Sequence, residues 1–288
     1  MKARRGLAAA LVFGLLAGCA PRDDRTGSAG EDSTAADSVA PGMQVLERTR
    51  GAPGDSVEGH ALYRVEWPDS SLLPASGPLA DSVRAALAFA LAEGQLDAAG
   101  RPLPADSVAA RFLAGHAEFR RTFPAGPGEW SIERKIAIEL VPPGLATLRI
   151  DDTRYEGGAH GMTSVVWQSF EAAQGRRLQL SDLATGAGMD SLSLLGERAF
   201  RLVRDIPPGA DFKNHGWFWE TGRFALSPNF GATRDGLVFH WNPYDIAPYA
   251  SGSTTILLPW KAVQPHLRRD GLLAGMEEVP VSGLWPGW

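Results

Sequence analysis

The sequence predicts an α+β fold of antiparallel sheets with packed helices, divided into two closely packed subdomains. Three features point there. Two amphipathic helical stretches come early, at residues 78–93 and from Asp106 onward. A run of alternating apolar and polar segments separated by tight turns follows them. Helices followed by consecutive turn-linked strands favour an antiparallel sheet over a doubly wound parallel one. About 230 residues lie beyond residue 59, enough for one large core or two small ones.

In chain order, residues 60–67 alternate Leu62, Arg64 and Glu66 against Tyr63, Val65 and Trp67, which reads as a first strand. Residues 78–93 form a helix that Asp81 can cap, with Val83, Leu87 and Leu91 recurring every four residues. A second helix begins at Asp106, with Val108, Phe112, Phe119 and Phe123 on one side and His116 near it as a core histidine. Residues 130–141 and 145–152 then form a hairpin around Pro142-Pro143-Gly144. A third strand covers residues 162–170, and helical spacing returns at Leu192, Leu195, Ala199 and Leu202 until Pro207-Pro208-Gly209 stops it. Strands resume at 224–230, 236–241 and 253–258, with Asp235-Gly236 as a hairpin turn. Residues 260–273 read as a last helix and 276–288 as a tail.

The N-terminus carries a compartment signal. Lys2, Arg4 and Arg5 precede an apolar run from Gly6 to Gly18, which is shorter than the roughly 20 residues a spanning helix needs. The single cysteine, Cys19, follows Leu16-Ala17-Gly18 directly. That arrangement resembles a bacterial lipoprotein signal, in which residues 1–18 are removed and Cys19 is acylated, for example with palmitate. Several acyl chains are needed for stable anchoring, since one is marginal at ~0.8 kcal/mol per methylene. The expected location is an exported, membrane-anchored lipoprotein, on the outer membrane facing the periplasm where a cell has two membranes. Residues 19–59 are rich in Ser, Gly, Ala, Asp and Pro and read as a disordered tether with a reach of roughly 30–40 Å.

With no second cysteine there is no disulfide, so stability must come from the core or a partner. Loss of Lys2, Arg4 and Arg5 moves the formal charge from -5 to -8, which argues against nucleic acid as a partner.

Candidate chemistry centres on Gly157-Gly158-Ala159-His160-Gly161, between two strands. Glycines there mark a turn or a close backbone approach, and Gly157, Gly158, His160 and Gly161 are assigned a structural turn. The catalytic alternative pairs His160 with Glu156 or Asp152 as an acid–base couple. No His-x-x-x-His pair, nucleophile elbow or phosphate-binding loop accompanies it, and neither metal nor cofactor is expected. Recognition has its own candidates. Trp217, Phe218 and Trp219 in a row cannot all face one core, and Tyr244 and Tyr249 sit on a Pro-, Asn- and Gly-rich connection.

Four blocks occur in order: Gly157-Gly158-Ala159-His160-Gly161, Leu180-Ser181-Asp182-Leu183, residues 235–252, and Ile256-Leu257-Leu258-Pro259-Trp260. Together they resemble the extracytoplasmic domain pair of RsiV-type anti-sigma factors, also found beside the catalytic domain of PdaC-type peptidoglycan deacetylases. The resemblance implies an N-terminal subdomain at 60–152 and a C-terminal one at 153–275, opened by the Gly-Gly-Ala-His turn. It also implies a receptor-like role, since the RsiV domain binds lysozyme. The sequence shows neither an anti-sigma segment nor a spanning helix nor the deacetylase metal motifs, and the usual Thr-Gly-Lys turn is Ala173-Gln174-Gly175-Arg176. The reading is therefore a non-catalytic cell-envelope binding module. Its expected partner is a protein, such as a lysozyme-like hydrolase, or peptidoglycan. The alternative is a glycan-active hydrolase or deacetylase-like enzyme using His160.

Overall fold

The first sheet is built from β1 (Met43–Arg50), β2 (His60–Pro68), β3 (Glu129–Val141), β4 (Leu145–Tyr155) and β5 (Met162–Glu171), side by side in that order. This computed structural model describes residues 42–276, apart from positions 70, 72, 74, 142, 143 and 275. The signal segment 1–18, Cys19 and residues 277–288 of the expected tail lie outside the described residues. Every neighbouring pair is antiparallel except β2 with β3, which run parallel. The two helices α1 (Pro78–Leu91) and α2 (Ala105–Thr122) lie between those strands in the chain. They form the long crossover that a parallel pair requires.

Both helices cover one face of the sheet. Ala80, Val83, Leu87 and Ala90 of α1, with Val108 and Ala109 of α2, are buried in one cluster with Tyr63, Val65, Ile132, Ile136 and Leu148. His116 is fully buried with them, in agreement with its reading as a core histidine.

The second half supplies α3 (Leu180–Leu183), α4 (Ala187–Val203) and a three-stranded antiparallel sheet of β6 (Phe230–Ala232), β7 (Gly236–Trp241) and β8 (Thr254–Pro259), followed by α5 (Trp260–Val263). Leu192, Gly196 and Phe200 form the buried stripe of α4. Phe200 meets Trp217, Trp219 and Trp241 edge-on at 5.2–5.4 Å between ring centres, and this aromatic cluster is the centre of the second core. The α+β class of the sequence reading is therefore the observed one.

Several expectations are corrected. The tether does not extend to residue 59, because residues 43–50 form β1 and pair with β2 along their length. Only Leu46 of β1 is buried, so its composition reads as loop although all eight of its residues are in register with β2. The boundary at 152/153 falls inside β4, and β5 belongs to the first sheet. Residues 224–229 are not strand, and only Phe230–Ala232 pairs as β6. Pro228, which has no N–H to donate, precedes it. The last helix stops at Val263, where Pro265 tightens the chain into a 3₁₀ turn. Asp81 lies in the first turn of α1 without capping it.

The two sheets belong to one compact unit and meet along β5 through side chains. Asn229 accepts from the Trp167 N–H at 2.8 Å and donates to the Val165 carbonyl at 2.7 Å. Asn242 accepts from the Val165 N–H at 2.7 Å and donates to the same carbonyl at 3.2 Å. Further along, the Ala232 N–H donates to Ser169 Oγ at 2.8 Å, and Ser169 and Thr147 share a hydroxyl bond of 2.7 Å. Thr147 returns a bond to the Ala232 carbonyl. That arrangement closes if the Ser169 hydroxyl donates to Thr147 and the Thr147 hydroxyl donates to Ala232.

Gly231 is where the sheets come closest: a Cβ there would stand 2.7 Å from Trp167 Cε3 and 3.0 Å from Thr147 Cγ2. Gly231→Ala should therefore cost about 1–3 kcal/mol of stability by overpacking, read as a lower urea midpoint. An unchanged midpoint would mean that the indole does not occupy that space.

Candidate functional site

The glycine-rich stretch is the hairpin loop between β4 and β5, since Arg154 and Met162 are the last paired residues on either side. Two of its glycines have steric reasons. Gly157 has φ +80°, and a Cβ there would meet Trp130 Nε1 at 3.1 Å. A Cβ on Gly161 would meet the Arg154 carbonyl at 3.2 Å. At Gly158 the nearest atom is 3.7 Å away, so nothing in the structure requires glycine there.

His160 is exposed, and its ring stacks on Tyr249 with centroids 3.9 Å apart and planes 19° apart. One carbonyl fixes both rings. Gly161 O accepts from the Tyr249 hydroxyl at 2.6 Å and from His160 Nδ1 at 2.8 Å. A carbonyl only accepts, so Nδ1 carries hydrogen, and in the neutral ring Nε2 keeps its lone pair for an outside donor. Tyr244 continues the row, 5.7 Å from Tyr249 between centroids.

Tyr244 and Tyr249 both sit on the connection from β7 to β8. Asn242 starts that connection with its backbone N–H on the Asp245 carboxylate at 2.7 Å, and Pro243, Ile246 and Ala247 are buried beneath it. Tyr244 has φ +73° and is 56% exposed. For a bulky side chain that backbone is an outlier, costing on the order of 1–3 kcal/mol unless its surroundings impose it. The buried residues on either side impose it here.

The aromatic triple is divided between core and surface. Trp217 is buried against Phe200, with the Arg204 guanidinium 4.6 Å from its ring centre. Trp219 is half-buried against Phe212 and Phe200, while Phe218 is 51% exposed. The Phe218 N–H donates to the Ile246 carbonyl at 2.9 Å, so the exposed ring is tied to the connection that carries the tyrosines.

The carboxylates of the catalytic alternative are engaged elsewhere. Arg134 holds Asp152 through two contacts of 3.1 and 3.0 Å and also donates to the Ala90 carbonyl at 2.6 Å. Arg154 pairs with Glu156 at 3.0 Å and with Glu93. Among the described residues no hydrogen bond or ion pair joins His160 to Asp152 or Glu156, and no three His, Cys, Asp or Glu side chains converge as a metal site. An open depression of about 340 Å³ at the start of α4, lined by Thr185, Ser191, His266 and Arg268 among others, contains none of the sequence candidates.

Sequence reasoning missed Asn229, Asn242 and the role of His240. His240 is buried beside the seam: Nε2 faces Asn242 Oδ1 at 3.2 Å, and Nδ1 faces the Thr255 hydroxyl at 2.8 Å. Because Asn242 Oδ1 accepts, Nε2 carries hydrogen and Nδ1 can accept from Thr255. Burial lowers the pKa of His240 from its ordinary value, outweighing the bond to Asn242. Burial likewise lowers that of His116, whose Nε2 donates to the Gly128 carbonyl at 2.9 Å. The one sequence sign of this arrangement is an asparagine directly before the first strand of the hairpin and another directly after the second, Asn229 and Asn242.

Residues 186–261 match the model of a family described as protein of unknown function DUF3298. The matched span includes Tyr244 and Tyr249 but not His160. The crystal structure of a DUF3298 family member from Bacteroides fragilis NCTC 9343 is similar over 81% of this chain and 96% of its own, with a TM-score of 0.62 and 20% sequence identity. A DUF3298 family protein from Pseudomonas aeruginosa PAO1 covers 78% of this chain and 93% of its own, with a TM-score of 0.49 and 19% identity. No curated protein matches the chain. At these identities the first likeness is one of fold.

The two buried histidines generate a pH dependence. Their folded pKa values lie below the ordinary 6.5, so the unfolded chain binds more protons as pH falls beneath that value. Their stabilising effect is complete above about pH 6.5 and is lost as pH falls through the folded values, at up to ~1.4 kcal/mol per pH unit for each group. Urea midpoints should fall from pH 7.5 to pH 5, with a shallower slope in His240→Gln. A flat profile over that window would contradict the assignment.

Proposed function

We propose that the protein is an RsiV-like binding module of the cell envelope, anchored through lipid on Cys19. It recognises a protein, such as a lysozyme-like hydrolase, or cell-wall glycan. The observation that carries the reading is Tyr244, a bulky ring held at φ +73° and more than half exposed. Strain kept at an exposed aromatic residue is the pattern of a functional position. Tyr249 and His160 stack behind it, and Phe218 is tied to the same connection. Rigid aromatic anchors of this kind carry most of the energy in recognition surfaces.

The recognition half of the reading is tested by calorimetry of the full mature chain with lysozyme and with peptidoglycan fragments. Binding to one of them should weaken about tenfold or more in Tyr244→Ala, the scale of a hot-spot aromatic. No binding to either would end the proposal. In the same cells, Cys19→Ser should move the protein from the membrane to the soluble fraction, and retention at the membrane would remove the lipid anchor from the account.

A further inference from the structure

We infer that the free edge of β1 is a self-association site, where a second copy of this chain pairs with it across a twofold axis. The aromatic row of the proposed function takes no part, so either reading can fail without the other.

The first support is the set of backbone groups that the edge leaves open. The Asp69 N–H donates to the Gly42 carbonyl at 2.7 Å, one step beyond the pair Met43 and Pro68. Bonded and unbonded pairs alternate in an antiparallel ladder, so Gln44, Leu46, Arg48 and Arg50 bond toward β2. The N–H and C=O groups of Met43, Val45, Glu47 and Thr49 therefore point away from the sheet. The other side of β2 agrees, since the His60 N–H donates to the Gly128 carbonyl at 2.8 Å. Among the described residues one bond reaches the open groups, from Arg48 Nη1 to the Glu47 carbonyl at 2.8 Å. The eight residues contain no proline, glycine or bulge of the kind that blunts an edge. Their charges are drawn back into the protein. Glu47 pairs with Arg64 at 2.7 Å, Arg48 with Asp106 at 2.6 Å and Arg50 with Glu58 at 3.0 Å.

The second support selects another copy as the occupant. Antiparallel pairing of β1 with itself about Leu46 sets Met43 opposite Thr49 and Val45 opposite Glu47 of the second copy. It is the twofold register that uses all four open residues of each strand among themselves. Leu46 then stands opposite Leu46, and Gln44 opposite Arg48. No like charges are directly opposed, whereas a shift of the axis to residue 47 would set Glu47 against Glu47.

The third support is α2. It lies over β1 and β2 alike, so joining two β1 strands at 4.7–4.9 Å brings two α2 helices to about 10 Å, the spacing of packed helices. Asp106 reaches Arg48 and marks the side of α2 toward the edge, while Arg111 on the other side reaches Gln95 at 3.1 Å. Ala110, Leu113 and Ala117 follow Asp106 along the edge side at helical spacing. All three are uncharged, and none is fully buried.

The test uses the mature chain carrying Cys19→Ser, followed by analytical ultracentrifugation from about 10 μM to about 1 mM, the range of weak association. A monomer–dimer equilibrium is expected, with exchange of the Val45 and Glu47 amides slowing as concentration rises. Val45→Pro removes an outward N–H without touching the ladder to β2, so it should weaken the dimer about tenfold or more and leave the urea midpoint of the monomer unchanged. Leu202→Ala, at an exposed leucine of α4, should associate as the parent does. Register is read separately. Gln44→Cys mixed with Arg48→Cys should give a mixed disulfide on oxidation, because unbonded pairs bring Cα atoms to about 4.5 Å. Either cysteine variant alone should stay largely uncrosslinked. A monomer throughout the concentration range would overturn the inference, as would a dimer indifferent to Val45→Pro. If Val45→Pro fails to fold, the cysteine mixture decides: no mixed disulfide overturns the proposal.

Discussion

Two asparagine side chains closing the outer edge of β5 are the constraint on which the rest of the structure depends. β5 is the last strand of its sheet, and the N–H and C=O of Val165 and the N–H of Trp167 point away from β4. No strand supplies their partners; Asn229 and Asn242 do, from either side of the β6–β7 hairpin. Each amide offers one acceptor and one donor group, the same pair that a peptide unit would offer. At Val165 and Trp167 the edge is thereby satisfied by side chains, and farther along the Ser169 carbonyl accepts from the Leu178 N–H at 2.8 Å, so less of the edge is left as an open template for aggregation. Losing one partner of such a bond leaves a group unpaired at about 1–3 kcal/mol.

The seam also explains why the aromatic row exists. Asn242 is held to β5 and to His240, and two residues later the chain turns through Tyr244. Gly161, which fixes His160 and Tyr249, lies directly before β5. One side of the row therefore comes from the hairpin loop of the first sheet, and the other from the connection of the second. Their alignment is set by how β5 meets Asn242. The glycine-rich loop brings a histidine to this junction, and the geometry of that histidine is that of a stacked, hydrogen-bonded brace, with the nearby carboxylates held by Arg134 and Arg154.

Much of the fold was legible because local periodicity reported it. β7 occupies the predicted residues, and Asp235-Gly236 turns the hairpin as its composition requires. Three aromatic residues in a row at 217–219 left room for one exposed ring, and which one is exposed, Phe218, came only from the structure. β1 was not legible, since a single buried Leu46 leaves no periodic signal in an otherwise polar segment. The parallel pairing of β2 with β3 is a property of the crossover and not of either strand's residues. The seam was least legible of all: its bonds join residues 62 to 77 positions apart, and an asparagine facing a strand edge looks locally like any turn asparagine. Tyr244 and Tyr249 could be named from their rigid connection, but their stacking with His160 depends on that long-range contact.

The most direct measurement is amide hydrogen exchange at Val165 and Trp167 by nuclear magnetic resonance. The account predicts protection comparable to the paired amides of β4, with Trp167 becoming fast in Asn229→Ala and Val165 in Asn242→Ala. Exchange of both amides at the rate of a solvent-exposed strand edge in the unsubstituted protein would contradict it.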